Sequence, residues 1–209
     1  MTNSKKENKS RAILFGSLLF LSGITLLFFD WYKDYRKEVI NSEMVETFFE
    51  EKKEPINELK IEEQEKKSVS KKAENYIGIL EIPKIKLKRG LVDINSKRNN
   101  VKYNIQIIKT STMPNVKNGN FILASHSGGG YNAFFTNLYK LNIGDEAYVY
   151  FNNVKYIYKI TDIYEVEKTG RVEINRDYNK TILTMITCSQ TNKKVQIVFI
   201  SELINEENY

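Results

Sequence analysis

Residues 181–190 read TILTMITCSQ. The stretch is uncharged, apolar and rich in β-branched residues up to its cysteine, and a polar turn, SQTNKK, follows at once. That pattern reads as a β-strand ending at a turn. Its last residue, Cys188, is the only cysteine among 209 residues. A lone cysteine closes no internal disulfide, which leaves three roles: packed small hydrophobe, intermolecular cross-linker or nucleophile.

Strand-like runs of the same kind fill the chain from Tyr76 onward. YIGILEIPKIKLKRGLV carries strand periodicity broken at Pro83, and NIQIIK, NFILASH, DEAYVYFN, VKYIYKITDIYEVEK and VQIVFISEL follow it. Turns are marked by VDINSKRNN, NVKNGN, SGGG, NIGDE, FNN and NRDYN, where Gly, Asn and Asp supply the required backbone freedom. One short helix is expected around Ala133 to Leu141. The 13 Tyr and 11 Phe, with Ile, Val and Thr, favour half-buried strands. Many short strands with so little helix predict a mainly β fold, a closed or nearly closed barrel, and argue against a parallel βαβ sheet.

Several function classes drop out. The net charge is +6, but the lysines are scattered and alternate with glutamates, without a basic stripe interleaved with aromatics, so no nucleic-acid partner is expected. There is no P-loop and no dinucleotide-binding glycine pattern, and no cofactor is expected. One histidine and one cysteine cannot build a zinc site, and no acidic cluster specifies calcium, so no metal is expected either.

The N-terminal segment AILFGSLLFLSGITLLFFDWY runs from Ala12 to Tyr32 without a formal charge before Asp30. It is long enough to span a bilayer as a helix, and Trp31 and Tyr32 suit the far interface. Lys5, Lys6, Lys9 and Arg11 precede it, so the positive-inside rule puts the N-terminus in the cytoplasm and the rest of the chain outside. The apolar run exceeds a signal-peptide core and no small-x-small cleavage site follows, which favours a retained anchor. The expected organisation is a cytoplasmic tail at 1–11, a transmembrane anchor at 12–32, a polar, partly helical stalk at 33–75 and a β-domain at 76–209. Within the stalk, Val45, Phe48 and Phe49 hint at an amphipathic helix.

His126, the only histidine, ends the run NFILASH where it enters SGGG. Cys188 occupies the matching place at the end of its own run. A thiol reacts as thiolate, and a neighbouring imidazole favours that form and serves as acid and base, so the two form a candidate dyad.

Thr184 to Cys188, TMITC, preceded by an upstream strand ending ILASHS, resembles the sortase signature, a Thr-Leu-x-Thr-Cys strand end paired with an earlier strand-end histidine. The resemblance spans about Tyr76 to Leu203 and includes GILEIPKIKL and NAFFTNLYKLNIGDEAYVY; Met185 stands in place of the usual Leu. It implies an eight-stranded β-barrel and a membrane-anchored cysteine transpeptidase of a Gram-positive cell surface. Such an enzyme cleaves a C-terminal sorting signal, often LPXTG-like, of secreted proteins through a thioacyl intermediate. It then joins them to an amine of a peptidoglycan precursor or a pilin-like protein. By that likeness Cys188 is the nucleophile and His126 the general acid and base, with Thr187 and Ser127 as substrate-binding candidates.

The family's catalytic Arg on the following strand has no counterpart, since KKVQIVFISELI contains no arginine. Matching ISELI puts Gln196 at that position, with Lys194 expected on the same face two residues earlier. Gln196 offers an amide donor without charge and Lys194 a charge without a planar fork. Arg171 and Arg176 in the preceding loop are the other cations available. Two further readings share these residues: a surface thiol hydrolase, and a non-catalytic binding barrel in which Cys188 is merely packed.

Overall fold

The computed structural model describes residues 3–50 and 76–209. The stalk expected at 33–75 therefore lies outside the described residues beyond Glu50. The chain divides into two units, Met1–Ser42 and Glu43–Tyr209. The described residues of the first are helix, the greater part of α1 (Asn3–Glu50). Its apolar side chains, such as Phe20 and Leu27, are exposed, and from Phe15 onward the helix is long and apolar enough to cross a membrane.

In the second unit the last turns of α1 come first. Val45 and Phe48 are buried against Ile79, as the spacing of their apolar residues anticipates. Phe49 meets Tyr150 edge-on at 5.0 Å, and the ring of Tyr209 packs against both at 5.4 and 5.1 Å. Edge-to-face geometry of this kind adds to the gain from burying the rings.

Eight strands follow: β1 (Gly78–Ile82), β2 (Leu87–Leu91), β3 (Gln106–Ile107), β4 (Asn120–Ala124), β5 (Glu146–Phe151), β6 (Val154–Glu167), β7 (Ile182–Cys188) and β8 (Val195–Asn208). They form one sheet in the order β2-β1-β5-β6-β8-β7-β4-β3, a nearly closed, mainly β barrel. Pro83 ends β1 and opens a 3₁₀ turn, Pro83–Ile85, because its missing N–H would break the ladder. β6 pairs with β8 along its whole length, with register shifts at Ile157/Tyr158 and Ile160/Asp162. Such irregularities bend long strands, which is what closure demands. Tyr158, Phe135, Phe199, Leu123 and Met185 fill the interior and are at most 1% exposed.

The last seam, between β2 and β3, is closed by side chains. The Asn104 amide donates to the Gly90 carbonyl at 2.9 Å. Asn99 accepts from the Ile107 N–H at 2.7 Å and donates to the Ile107 and Ile94 carbonyls at 2.8 and 3.0 Å. One carboxamide thus replaces the backbone of a missing strand, satisfying buried groups of β3. Gly90 is required beside this seam, because any Cβ would sit 2.0 Å from the ring of Tyr76.

Three features differ from the sequence reading. The helix expected over Ala133–Leu141 is a 3₁₀ segment, Thr136–Lys140, held by the Thr136 hydroxyl bonding to the Ala133 and Gly128 carbonyls, a geometry suited to so short a piece. NIQIIK yields only two strand residues. Past them the backbone bonds β4 only at intervals, the Ile108 N–H to the Ile122 carbonyl at 2.9 Å and the Thr112 N–H to the Asn120 carbonyl at 3.0 Å, while the hydroxyls of Ser111 and Thr112 accept from the Ile122 and Asn120 N–H groups. Finally, β4 and β7 are parallel, although nothing resembling a βαβ unit joins them: the connection runs through the antiparallel pair β5 and β6.

Replacing Asn99 by Leu, which keeps its bulk, is expected to lower unfolding free energy by about 3 kcal/mol in a denaturant titration, because buried groups of Ile107 lose their partner. Burial pushes the Tyr209 phenol up to about 12. An unfolded tyrosine ionises near pH 10, so the stability tied to Tyr209 is complete below that pH and drains away as pH rises toward about 12. A Tyr209→Phe variant followed by urea titration from pH 9 to 12 should show a shallower alkaline decline than the parent.

Candidate active site at the ends of three strands

The site is set by two registers. Parallel β4 and β7 pair from Asn120↔Ile182 to Ala124↔Ile186, and the two chains stay side by side beyond the last pair. The Ser125 N–H donates to the Ile186 carbonyl at 3.2 Å, and the Thr187 hydroxyl donates to the Ser125 carbonyl at 3.0 Å. One step further, the Ser127 hydroxyl donates to the Cys188 carbonyl at 2.5 Å. His126 lies between the residues that make these stitches, so position 126 falls beside position 188. The Phe135 N–H, bonded to the His126 carbonyl at 3.1 Å, fixes its backbone from the other side. Gly128, with φ of +112°, then turns the chain away in a conformation open to glycine.

The second register is antiparallel. β7 and β8 pair with Cys188 directly opposite Gln196, and β6 places Val166 opposite Gln196 in turn. Cross-strand partners project to the same face of a sheet, so Gln196 stands on the face of Cys188. Cys188 is a half-buried free thiol and His126 is exposed.

On that outer face an apolar strip leads up to Cys188. Ile182, Val198 and Ile200 are buried there, and Val172 and Ile174 from the β6–β7 loop lie against them together with Tyr164 and Val166. The opposite, inward face presents the row Glu165, Ile197 and Thr187, joined by register across β6, β8 and β7. At the barrel mouth these residues and Cys188 line a cavity of about 350 Å³, walled by Thr136, Tyr139 and Gln190. The Gln190 amide donates to the Thr136 carbonyl and ties the β7–β8 turn to that wall. Cys188 therefore ends the outer strip and borders this cavity as well.

The structure sorts the remaining candidates. Thr187 and Ser127 spend their hydroxyls on backbone carbonyls, so they join the two strand ends. Lys194 immediately precedes β8, which begins at Val195: its carbonyl accepts from the Lys168 N–H at 2.8 Å, and its own N–H is held in the turn by the Asn192 side chain at 3.0 Å. Its side chain borders a separate depression with Lys168 and Lys193. Arg176 does not reach Cys188 either; it donates to the Asn118 carbonyl at 2.6 Å, near the start of β7, a strand length of roughly 20 Å away. Arg171 is exposed in the β6–β7 loop. Glu165, Tyr139 and Gln190 were not legible as lining residues, since each looks like an ordinary strand-face or turn residue; only their place around the cavity at the barrel mouth singles them out.

The family model described as the sortase domain matches residues 80–203. Sortase A of Bacillus anthracis is 27% identical over 179 residues, covering 82% of this chain and 83% of its own. Among solved structures, a Clostridium perfringens sortase D5 transpeptidase superposes with a TM-score of 0.53 at 25% identity, covering 63% of this chain and 80% of that one. Listeria monocytogenes sortase A superposes at 0.54 with 20% identity, over 64% and 90% of the two chains, a likeness of fold. The matched segment contains the barrel from β1 into β8 and both strand ends that carry His126 and Cys188. The chain belongs to the sortase family, a family of cysteine transpeptidases.

Proposed function

We propose that this protein is a membrane-anchored transpeptidase that cleaves an LPXTG-like C-terminal sorting signal of secreted proteins and transfers the acyl part to an amine of a peptidoglycan precursor or a pilin-like protein. The N-terminus is cytoplasmic and the barrel faces the cell exterior. The observation that carries the reading is the pair of registers that sets His126 beside Cys188 and Gln196 opposite it.

The chemistry follows from these three side chains. The Cys188 thiolate attacks the scissile carbonyl carbon, and the negative charge passes to the carbonyl oxygen. Gln196, on the same face, donates an amide N–H to that oxyanion. As the C–N bond breaks, imidazolium at His126 protonates the leaving amine, and a thioester remains on Cys188. The acceptor amine then attacks the thioester, His126 takes its proton, and the C–S bond breaks to return the thiolate. The apolar strip beneath Val172 and Ile174 offers the donor's side chains a surface leading to the thiol.

The full chain in detergent, incubated with a panel of LPXTG-type peptides, should gain the mass of a thioacyl adduct, and Cys188→Ala should gain none. Absence of adduct with every peptide in the folded, reduced protein overturns the reading. Adduct that only ever decays to free acid, with amine present, points to a thiol hydrolase. Gln196→Ala should slow acylation about 10²-fold, whereas Lys194→Ala should change it less than about threefold, as judged by quenched-flow mass spectrometry.

A further inference from the structure

The edge of the barrel where β7 begins, opposite the one that carries Cys188, holds another cavity, of about 510 Å³. It opens between the β3–β4 connection, the residues before β7 and the outer part of β8. Two lysines and two glutamates line it, Lys117, Lys180, Glu202 and Glu206, so its formal charges cancel. Lys180 and Glu202 already pair at 2.5 Å. Such a wall favours neither an anion nor a cation. What it offers instead is hydrogen bonding. The carboxamides of Asn115, Asn118 and Asn179 line the same cavity, and among the described residues none of the three has a side-chain hydrogen bond. Asn118 and Asn179 bond only through their backbones, to Thr181, Arg176 and Asp177. A free carboxamide presents donors and an acceptor in one plane, and a sugar hydroxyl is likewise both donor and acceptor. Pro114 and Leu203 add apolar surface of the kind that meets sugar C–H groups.

An aromatic ring stands beside these groups. Tyr178 directly precedes Asn179 and is 75% exposed. The Arg176 guanidinium lies over its ring at 4.6 Å and donates to the Asn118 carbonyl at 2.6 Å, so the ring is fastened to a residue of the cavity wall. The cation covers one face of the ring and leaves the other to solvent. A stacking surface already held in place costs little ordering entropy when a ligand lands on it. We propose that this cavity is a saccharide-binding site, in which the three carboxamides bond the hydroxyls of a neutral oligosaccharide and Tyr178 stacks on one of its rings. The thiol lies a strand length of roughly 20 Å away, so a glycan held here leaves the catalytic edge free. The site fixes the barrel to surrounding polysaccharide without taking part in acyl transfer, and it does not depend on the transpeptidase reading.

The test titrates the full chain, in a sugar-free detergent, with tri-N-acetylchitotriose and with maltotriose by isothermal calorimetry. Saturable binding of at least one, with Kd in about the millimolar range, is expected. Tyr178→Ala should weaken it about tenfold and Tyr178→Phe less than about threefold, because the ring face is what the sugar meets. Replacing Asn115 and Asn179 together by Ala should weaken it about tenfold as well. Each replaced side chain is exposed, so the variants keep the fold. Raising salt from about 50 to about 500 mM should leave the affinity flat, and trigalacturonate should bind no tighter than the neutral sugars. Alkylation of Cys188 by iodoacetamide should run at the same rate with sugar bound. No binding of either neutral sugar up to about 20 mM, binding that Tyr178→Ala leaves unchanged, or sugar that shields Cys188 from iodoacetamide overturns the assignment. Binding of trigalacturonate alone, lost at high salt, makes the cavity an anion site of Lys117 and Lys180 and overturns it too.

Discussion

The parallel pairing of β4 with β7 is the constraint on which the site depends. A parallel pair runs both strands to the same edge of the sheet, so both carboxyl ends open at one place. An antiparallel arrangement would have sent His126 and Cys188 to opposite ends of the barrel. The hydroxyls of Thr187 and Ser127 extend the pairing past the last ladder bonds, where strand ends would otherwise fray. Buried hydrogen bonds of this kind each contribute about 1 kcal/mol, enough to hold two loop-entry residues in step.

The barrel supports that edge by making its opposite side undemanding. β6 and β8 form its longest ladder and fix the row Val166, Gln196 and Cys188. The weak point is the seam between β2 and β3, where Asn99 and Asn104 replace backbone partners. A carboxamide offers both a donor and an acceptor, so it satisfies the edge of β3 without the length of a full strand. The seam lies away from β7 and β8, so its irregularity does not disturb the register at Cys188.

Much of the fold was legible because strand signals here are local. Apolar, β-branched runs bounded by Gly and Asn turns located six of the eight strands closely and the start of β8, whose polar end to Asn208 they missed, and Pro83 marked the break between β1 and β2. What misled was equally local: NIQIIK has strand composition, yet past Ile108 serine and threonine hydroxyls at 111–112 share the bonds to β4 with the backbone. The run over 133–141 looked helical, yet the loop bonds of Thr136 tighten it to 3₁₀. Cys188 and His126 stood out as single residues of reactive type at matching strand ends. Lys194 stands one residue before β8, where the Asn192 side chain holds its N–H in the turn.

The amino-acid sequence by itself determined the mainly β class, the apolar N-terminal helix and the two reactive residues, because composition, periodicity and rarity are properties of short stretches. Only the tertiary structure decided which residues share the edge with Cys188. The strand order puts β7 between β4 and β8, and that order joins positions 62 residues apart, 126 and 188. It is set by closure of the sheet and filling of its interior, which are sums over the whole chain. Glu165 shows the difference: in EVEK it is one charge on an alternating strand, and two hydrogen-bonded ladders put it in one row with Ile197 and Thr187 at the mouth of the barrel.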